Sequence, residues 1–226
     1  MVFSSADHTG IGDSGSLGGF MDFTKEIKGH TLEYIDEDHI YLVDGVIVDS
    51  ITQLLKGDFG HKYDHVGKRT LKRASEAGTQ VHDAIERLCK TGEMTDLPEV
   101  KNFLFLKRQY KFEVIDNEVP VILFMDGEPI SAGRLDMVIE MDGQIGGADI
   151  KRTSVLDKNY LAYQLNLYRI AYRQCYGVEW QFLRGIHLRE DVRKFVQIPV
   201  NEDLAWQLVR RYLSLKEFKI EEALNE

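Results

Sequence analysis

Cysteine is scarce in this chain of 226 residues, which has only Cys89 and Cys175, far apart and without a C-x-x-C arrangement. This excludes a four-cysteine zinc site and an iron–sulfur cluster, and it fits a reduced cytoplasmic setting. Long apolar runs are also missing, so the sequence predicts no transmembrane helix. The N-terminus has no basic start followed by an apolar core, and we therefore expect no secretory signal.

An excess of positive charge is missing too. Lys and Arg total 28 against 37 Asp and Glu, which gives a net charge of −9. A protein that coats nucleic acid regardless of sequence needs broad positive potential, so this class is disfavoured. A local basic groove combined with a divalent metal stays compatible with chemistry on phosphates. The helicase motif G-x-x-x-x-G-K-[ST] is absent, so any helicase would be a separate chain.

The composition predicts two regions. Residues 1–26 include five glycines between Gly10 and Gly19, several serines and no hydrophobic periodicity, which predicts a disordered or vector-derived segment. The remaining residues, 27–226, have a length that suits a single domain, and the chain as a whole is 43% hydrophobic and 29% charged, a typical globular balance.

The most informative stretch is residues 131–168. Arg134 to Met141 is largely apolar, as expected of a buried strand. Asp142-Gly143 favours a hairpin turn because both residues tolerate positive φ. Ile145 to Ile150 predicts a second strand, and from Asn159 apolar residues recur every three or four positions, which predicts a helix.

Charged residues occupy this predicted hairpin. If the strands pair through the turn, the carboxylates of Asp136 and Asp149 approach each other, and Lys151 leaves the same face as Asp149. Such an arrangement favours a cation between the carboxylates, and oxygen ligands suit Mg²⁺ or Mn²⁺. Lys151 would stabilise charge on a phosphate or help to deprotonate a water. A surface pair of Asp149 and Lys151 remains the alternative at this point.

A second candidate lies on a helix predicted from Ala74 to Lys90. His82 and Glu86 are four residues apart and share a face of this helix, so a simple surface pair is one interpretation. A basic cluster precedes the helix and would either hold a DNA phosphate backbone or form a solvated helix face. Its members are His61, Lys62, His65, Lys68, Arg69, Lys72 and Arg73.

Order and spacing together resemble the PD-(D/E)XK nuclease superfamily, in particular its RecB and phage-exonuclease branch. The relevant sequence is G-R-L-D at 133–136, the hairpin, D-I-K at 149–151, and then Gln164-Leu165-x-x-Tyr168. G-T-x-x-H-x-x-I-E at 78–86 and the opening from Tyr41 to Leu55 fit the same branch. The resemblance covers about residues 31–215. Leu135 stands where many members of the superfamily have proline.

The resemblance implies an α/β fold with a restriction-endonuclease-like core, a central mixed β-sheet flanked by helices. It implies a Mg²⁺- or Mn²⁺-dependent deoxyribonuclease, foremost an exonuclease in phage or bacterial DNA recombination or repair, without the iron–sulfur cluster of some relatives. The implied metal ligands are His82, Asp136, Asp149 and the carbonyl oxygen of Ile150, with Lys151 positioning or deprotonating a water.

Further roles are implied around this centre. Glu118, in an E-x-P-V-like stretch, would brace a water, with Glu113 as the fallback. Gln164 and Tyr168 would face the site and contact DNA or Lys151, unless they serve helix packing. Thr153 and Arg134 are additional candidates for phosphate contacts.

DNA is the implied partner, and a single-strand annealing protein, a separate helicase and an oligomer are further candidates. A membrane is not expected. If the protein is phage-encoded, the cytoplasm is that of a bacterial host. A restriction-type endonuclease and a non-catalytic DNA-binding relative remain the alternative functions.

Overall fold

A computed structural model describes residues 22–63 and 65–224, and within them nine strands form one sheet. The strands are β1 (Phe23–Ile27), β2 (His30–Ile35), β3 (Ile40–Val43), β4 (Val46–Ser50), β5 (Glu113–Met125), β6 (Glu128–Met141), β7 (Gln144–Lys151), β8 (Phe182–Leu188) and β9 (Arg193–Ile198). The helices are α1 (Ile51–Leu54), α2 (Lys56–Phe59), a 3₁₀ turn (Gly60–Tyr63), α3 (Lys68–Thr91), α4 (Pro98–Tyr110), α5 (Lys158–Tyr176) and α6 (Glu202–Leu224).

The sheet is mixed. Strands β1 to β4 form an antiparallel meander, and β4 joins the rest of the sheet through two parallel residue pairs, Asp49 with Ser131 and Ser50 with Ala132. Strand β6 pairs along its length with β5 and, on its other edge, with β7 from Met137 onwards. Strand β8 is parallel to β7, and β9 closes the sheet.

Strands β4 and β7 therefore pair with the same edge of β6, β4 at Ser131 and Ala132 and β7 from Met137 onwards. Residues 133–136 lie between the two paired segments, so the sheet forks at this point. Gly133 is placed in this fork, where an added Cβ would lie 3.1 Å from Cε1 and 3.2 Å from Oη of Tyr168. Because Gly133 has no side chain, the Tyr168 ring of α5 can pack directly against the backbone at the fork.

Helices cover both faces of the sheet, as the apolar patterns predict. Helix α5 and the start of α6 bury their apolar residues on one face, together with Leu32 of the meander. Helices α3 and α4 bury Val81, Ile85 and Phe103 on the other face. The coarse expectation of an α/β fold with a mixed sheet flanked by helices is confirmed.

Local signals in the sequence account for several turns and caps, including the predicted turn at Asp142-Gly143. Asp142-Gly143 joins β6 and β7 with φ values of 53° and 74°, the positive pair that a tight hairpin requires. Asp126-Gly127 makes the equivalent turn between β5 and β6. Ser50 caps α1 with a reciprocal capping box that includes Gln53.

Two boundaries differ from the expectation. Helix α3 begins at Lys68 instead of Ala74, because its first turns are exposed and carry no apolar stripe, so Lys68 and its basic neighbours belong to the helix and do not precede it.

The N-terminal boundary also moves. Residues 23–26, expected to be unstructured, belong to β1, which is stabilised by pairing with β2, a tertiary effect that composition does not reveal. Residues 1–21 of that expected segment lie outside the described part of the chain. Among the described helices, none is long and apolar enough to cross a bilayer.

Candidate functional site

The candidate site lies at the fork of the sheet. Asp136 is the last residue of β6 before the ladder with β7 begins at Met137 and Ala148. Its Oδ2 atom accepts a hydrogen bond of 2.7 Å from the backbone N–H of Ile150. This bond replaces the missing ladder contact and orients the Asp136 carboxylate towards the carboxyl end of β7.

Helix α3 brings His82 to the same point. Val81 and Ile85 are buried against the sheet, and this anchors the helix turn that carries His82. The Nε2 atom of His82 lies 3.1 Å from the carbonyl oxygen of Ile150. Its Nδ1 atom lies 3.6 Å from Oδ2 of Asp136. The partners of His82 are thus residues of the sheet, whereas Glu86 pairs with Lys90.

Strand β5 supplies Glu118 with an unusual backbone conformation. Its φ of 54° is in the left-handed region, and among the described non-glycine residues with positive φ it is the one inside a strand. Such a conformation costs energy, and strained residues of this kind cluster at functional sites. The Oε1 atom of Glu118 lies 3.9 Å from Nδ1 of His82, and Oε2 lies 2.6 Å from Nε of Arg134.

The fallback glutamate is elsewhere. Glu113 has a largely exposed side chain at the start of β5 and pairs with Lys107 at 2.7 Å. Of the two glutamates that the sequence offered, the structure brings Glu118 to the other candidate residues and leaves Glu113 on the surface.

His82, Glu118 and Asp136 form a cluster suited to a metal ion. One ligand atom from each residue lies within 4.8 Å of the others, and the three side chains are partly buried. Imidazole and carboxylate are common ligands of divalent cations. Burial alone would lower the pKa of His82, but the charges of Asp136 and Glu118 outweigh it and raise this pKa to about 9.

Asp149 and Lys151 form an adjacent pair. The Lys151 ammonium lies 2.6 Å from Oδ2 of Asp149, whose side chain is 2% exposed. Burial and the nearby Asp136 carboxylate raise the pKa of Asp149 to about 6, although Lys151 opposes the shift. Burial would lower the pKa of Lys151, but Asp149 and Asp136 raise it overall, so its ammonium form is favoured.

The structure places the expected metal ligands in two adjacent groups. His82, Asp136 and the Ile150 carbonyl converge as expected, but Glu118 completes the three-residue cluster while Asp149 contacts Lys151. Neither carboxylate oxygen of Asp149 meets a donor in good hydrogen-bond geometry within the described residues.

Helix α5 carries the two motif residues, of which Tyr168 reaches the fork. Gln164 and Tyr168 are both 4% exposed and one helical turn apart. The Oε1 atom of Gln164 has no hydrogen-bond partner within the described part of the chain. Burial raises the pKa of Tyr168 well above its usual value. Its ring packs beside Gly133, so a packing role holds for this tyrosine.

The two remaining candidates have local partners. Arg134 binds Glu118, as described above, and lies 5.7 Å above the ring of Tyr34. The Thr153 hydroxyl donates to the carbonyl oxygen of Val155 at 2.8 Å. These contacts assign both side chains to the frame of the site.

A groove of about 1220 Å³ opens above the cluster. Helix α3 forms one wall through Gly78 and its neighbours, and the segment from Arg152 to Asn159 forms the other. His82, Ile150 and Lys151 lie among its lining residues. The basic side chains that line it are Lys62, Lys151, Arg152, Lys158 and Arg189. Of the basic cluster noted in the sequence, Lys62 belongs to this lining.

Sequence reasoning missed a second cavity, next to Lys151. It has a volume of about 410 Å³ and lies between the α1–α2 segment and the start of α5. Phe59 and Tyr160 line it, and Lys62 closes one side through an ion pair with Asp157, the N-cap of α5. No sequence signal links these residues, because about a hundred positions separate the two walls.

Comparison with known proteins adds little to this geometry. The chain matches no family model and no curated protein. Among solved structures, it is similar to the crystal structure of SSO0001, with a TM-score of 0.43 and 14% identity over 74% of this chain and 75% of that one.

Proposed function

We propose that this protein is a divalent-metal-dependent DNA nuclease of the PD-(D/E)XK type, with a restriction-endonuclease-like core, and that it acts as an exonuclease. The observation that carries the proposal is the convergence of His82, Glu118 and Asp136 from three different elements onto one point beside the Ile150 carbonyl. Arg134 and His82 lie beside these carboxylates, and a divalent cation would further offset the free-energy cost of placing two carboxylates close together.

The residues fit a divalent cation. His82, Asp136 and Glu118 would hold it together with the carbonyl oxygen of Ile150, and the buried Oδ1 atom of the adjacent Asp149 lacks a hydrogen-bond donor within the described chain. When bound, a divalent cation supplies Lewis acidity, which polarises a phosphoryl oxygen and makes water more acidic. Imidazole favours Mn²⁺ over Mg²⁺, so we expect activity with both ions and tighter binding of Mn²⁺.

The roles of the other residues follow from their charges and contacts. Lys151, held by Asp149 at 2.6 Å, places a positive charge where negative charge develops on the phosphate. Arg134 fixes Glu118 through their 2.6 Å contact. The groove beside these residues offers several cations to a phosphate backbone, which supports nucleic acid as the substrate of an otherwise acidic protein.

The proposal is tested by cleavage of a linear duplex and a closed-circular plasmid with Mg²⁺, Mn²⁺ or chelator. We expect metal-dependent degradation of the linear molecule and persistence of the circle. Nicking or linearisation of the circle would favour a restriction-type endonuclease. Metal-independent binding without cleavage of either DNA would favour a non-catalytic relative.

Two glutamate variants provide a matched comparison. Glu118→Gln removes a carboxylate from the cluster, whereas Glu113→Gln removes one from the exposed start of the same strand. We expect cleavage to fall at least tenfold in the first variant and to stay within twofold in the second. Equal activities would refute the assignment of Glu118.

A further inference from the structure

The 410 Å³ cavity beside Lys151 has the size of a ligand site. Pockets that enclose a small molecule typically measure roughly 300–1,000 Å³, so this cavity has room for a group of nucleoside size and is too small for a protein helix or a duplex. Its walls are mainly apolar and aromatic, formed by Leu55, Phe59, Val155 and Leu161 around Tyr160.

The aromatic side chains are held in place. The rings of Phe59 and Tyr160 lie 5.5 Å apart in an edge-on arrangement, and Phe59 makes a second edge contact with Tyr163. Aromatic walls of this kind bind nucleobases with little regard to sequence, because every base has an aromatic face.

The charges around the cavity match a nucleotide. Three lysines, Lys56, Lys62 and Lys151, line it against one carboxylate, Asp157. Lys62 is paired with this carboxylate and its ammonium also lies 4.7 Å above the ring of Phe59. The lining thus combines an apolar wall for a base with cations for the phosphates that flank it.

The cavity is continuous with the groove. Lys62, Lys151, Thr153, Val155 and Asp157 line both of them. A strand whose phosphate lies beside Lys151 can therefore run in the groove while an adjacent base enters the cavity.

We propose that the cavity between α1–α2 and α5 binds one unpaired nucleobase next to the cleaved phosphate, so that the preferred substrate is a single strand or a frayed end. The inference rests on the proposed nuclease function. A base in the cavity cannot stay paired, and a substrate that is already unpaired avoids the cost of leaving the duplex.

Binding to oligodeoxynucleotides in Ca²⁺ tests the cavity without requiring cleavage. An abasic substitution is moved along a single-stranded 20-mer, and affinity is measured for the native chain and for Phe59→Ala. We expect one abasic position to weaken binding of the native chain at least fivefold, from the usual strength of base–aromatic contacts. The same substitution should change binding of Phe59→Ala by less than twofold.

The controls keep this outcome decisive. Phe105→Ala removes an exposed aromatic ring on α4, outside the cavity, and should retain the abasic effect. If Phe59→Ala loses cooperative thermal unfolding, Phe59→Leu keeps the apolar volume and removes the aromatic face. An abasic effect of equal size in native and variant chains, or no abasic effect in the native chain, overturns the inference.

Single-turnover cleavage provides the second arm. We expect a single strand, or a duplex with a mismatched end, to be cut at least tenfold faster than a blunt duplex, and Phe59→Ala to reduce this difference. Metal-dependent cleavage without any abasic effect would refute the cavity and leave the nuclease function intact. An abasic effect on binding without cleavage in any metal would refute the nuclease function and leave the cavity as a base-binding site.

Discussion

The Oδ2 atom of Asp136 accepts a 2.7 Å hydrogen bond from the backbone N–H of Ile150, across the point where β6 and β7 separate. One carboxylate therefore closes the fork of the sheet and also lies 3.6 Å from the imidazole of His82. Asp136 therefore has a structural contact with β7 and a proposed role as a metal ligand, and a useful substitution changes only one of the two.

Asp136→Asn keeps the hydrogen bond to Ile150 and removes the negative charge. The amide oxygen can still accept from the Ile150 N–H, so we expect the melting temperature to change little, while loss of the anionic ligand abolishes detectable cleavage and weakens Mn²⁺ binding by at least about tenfold. Calorimetric Mn²⁺ titration and thermal unfolding measure the two effects. Asp116→Asn, an exposed position on β5, is the matched control. Full activity of Asp136→Asn would exclude the proposed centre.

His82→Ala tests the helix-borne ligand. The side chain is partly exposed to the groove and the turn of α3 is anchored by its apolar neighbours, so we expect the fold to persist. Mn²⁺ affinity should fall by at least about tenfold, because one donor is lost. A variant that melts at a much lower temperature yet binds Mn²⁺ as before would show that His82 serves packing.

Lys151→Ala distinguishes an enzyme from a binding protein. A preorganised cation contributes mainly when charge develops in the transition state, so we expect single-turnover cleavage to slow by roughly a hundredfold or more. Binding to DNA in Ca²⁺ should change far less, since other cations line the groove. Lys151→Arg should not restore the rate, because guanidinium is bulkier and differs in geometry. Weakened binding at an unchanged rate would make Lys151 a phosphate anchor.

Gly78→Ala tests the groove itself. Gly78 lies inside α3 and an added Cβ would meet nothing within 4 Å in the protein, so we expect a gain of about 0.5–1 kcal/mol in the free energy of unfolding. Because Gly78 lines the groove, the same methyl group should weaken DNA binding in Ca²⁺. Gly57→Ala, which has equally open space and does not line the groove, should leave DNA affinity unchanged.

Acid stability reports on the contact between α5 and α6. Arg173 donates hydrogen bonds to Glu202 and, with Arg169, holds the pKa of this carboxyl below its usual value, although burial opposes the shift. A lowered folded-state pKa adds stability above the unfolded value of about 4.5, and this stability disappears as the pH falls through the folded pKa.

Glu202→Gln should therefore lose stability at pH 7 and show a smaller further loss below pH about 4.5 than the native chain. Urea unfolding at pH 7, 4.5 and 3.5 measures this. Asp203→Asn, its exposed neighbour on α6, should follow the native curve. A native-like pH profile in Glu202→Gln would exclude the ion pair as the source.

Local chemistry made the hairpins and caps predictable from the sequence. Asp142-Gly143 and Asp126-Gly127 are turns because few other residues accept positive φ, and Ser50 is a cap because its side chain reaches a free N–H. These features depend on a few adjacent residues. The predicted start of α3 was wrong because the first turns of this helix are exposed and carry no periodic apolar pattern.

The residues of the candidate site could be predicted from the sequence, but the contacts between them could not. Spacing and resemblance identified His82, Glu118 and Asp136, but they did not show that these three form one cluster while Asp149 lies against Lys151. That outcome depends on the positive φ of Glu118 and on the fork of the sheet, which are properties of the packed chain. The cavity lined by Phe59 was missed because its two walls meet only after folding.

The spread of the donors along the chain has a consequence for synthesis. His82, Glu118, Asp136 and the Ile150 carbonyl come from α3, β5, β6 and β7, and the Tyr168 ring of α5 packs against the fork that holds Asp136. A nascent chain that ends before residue 150 lacks part of this set, and one that includes it must still form contacts between distant segments. The proposed metal centre can therefore be complete only after residue 150 has been synthesised and α3 has packed against the sheet.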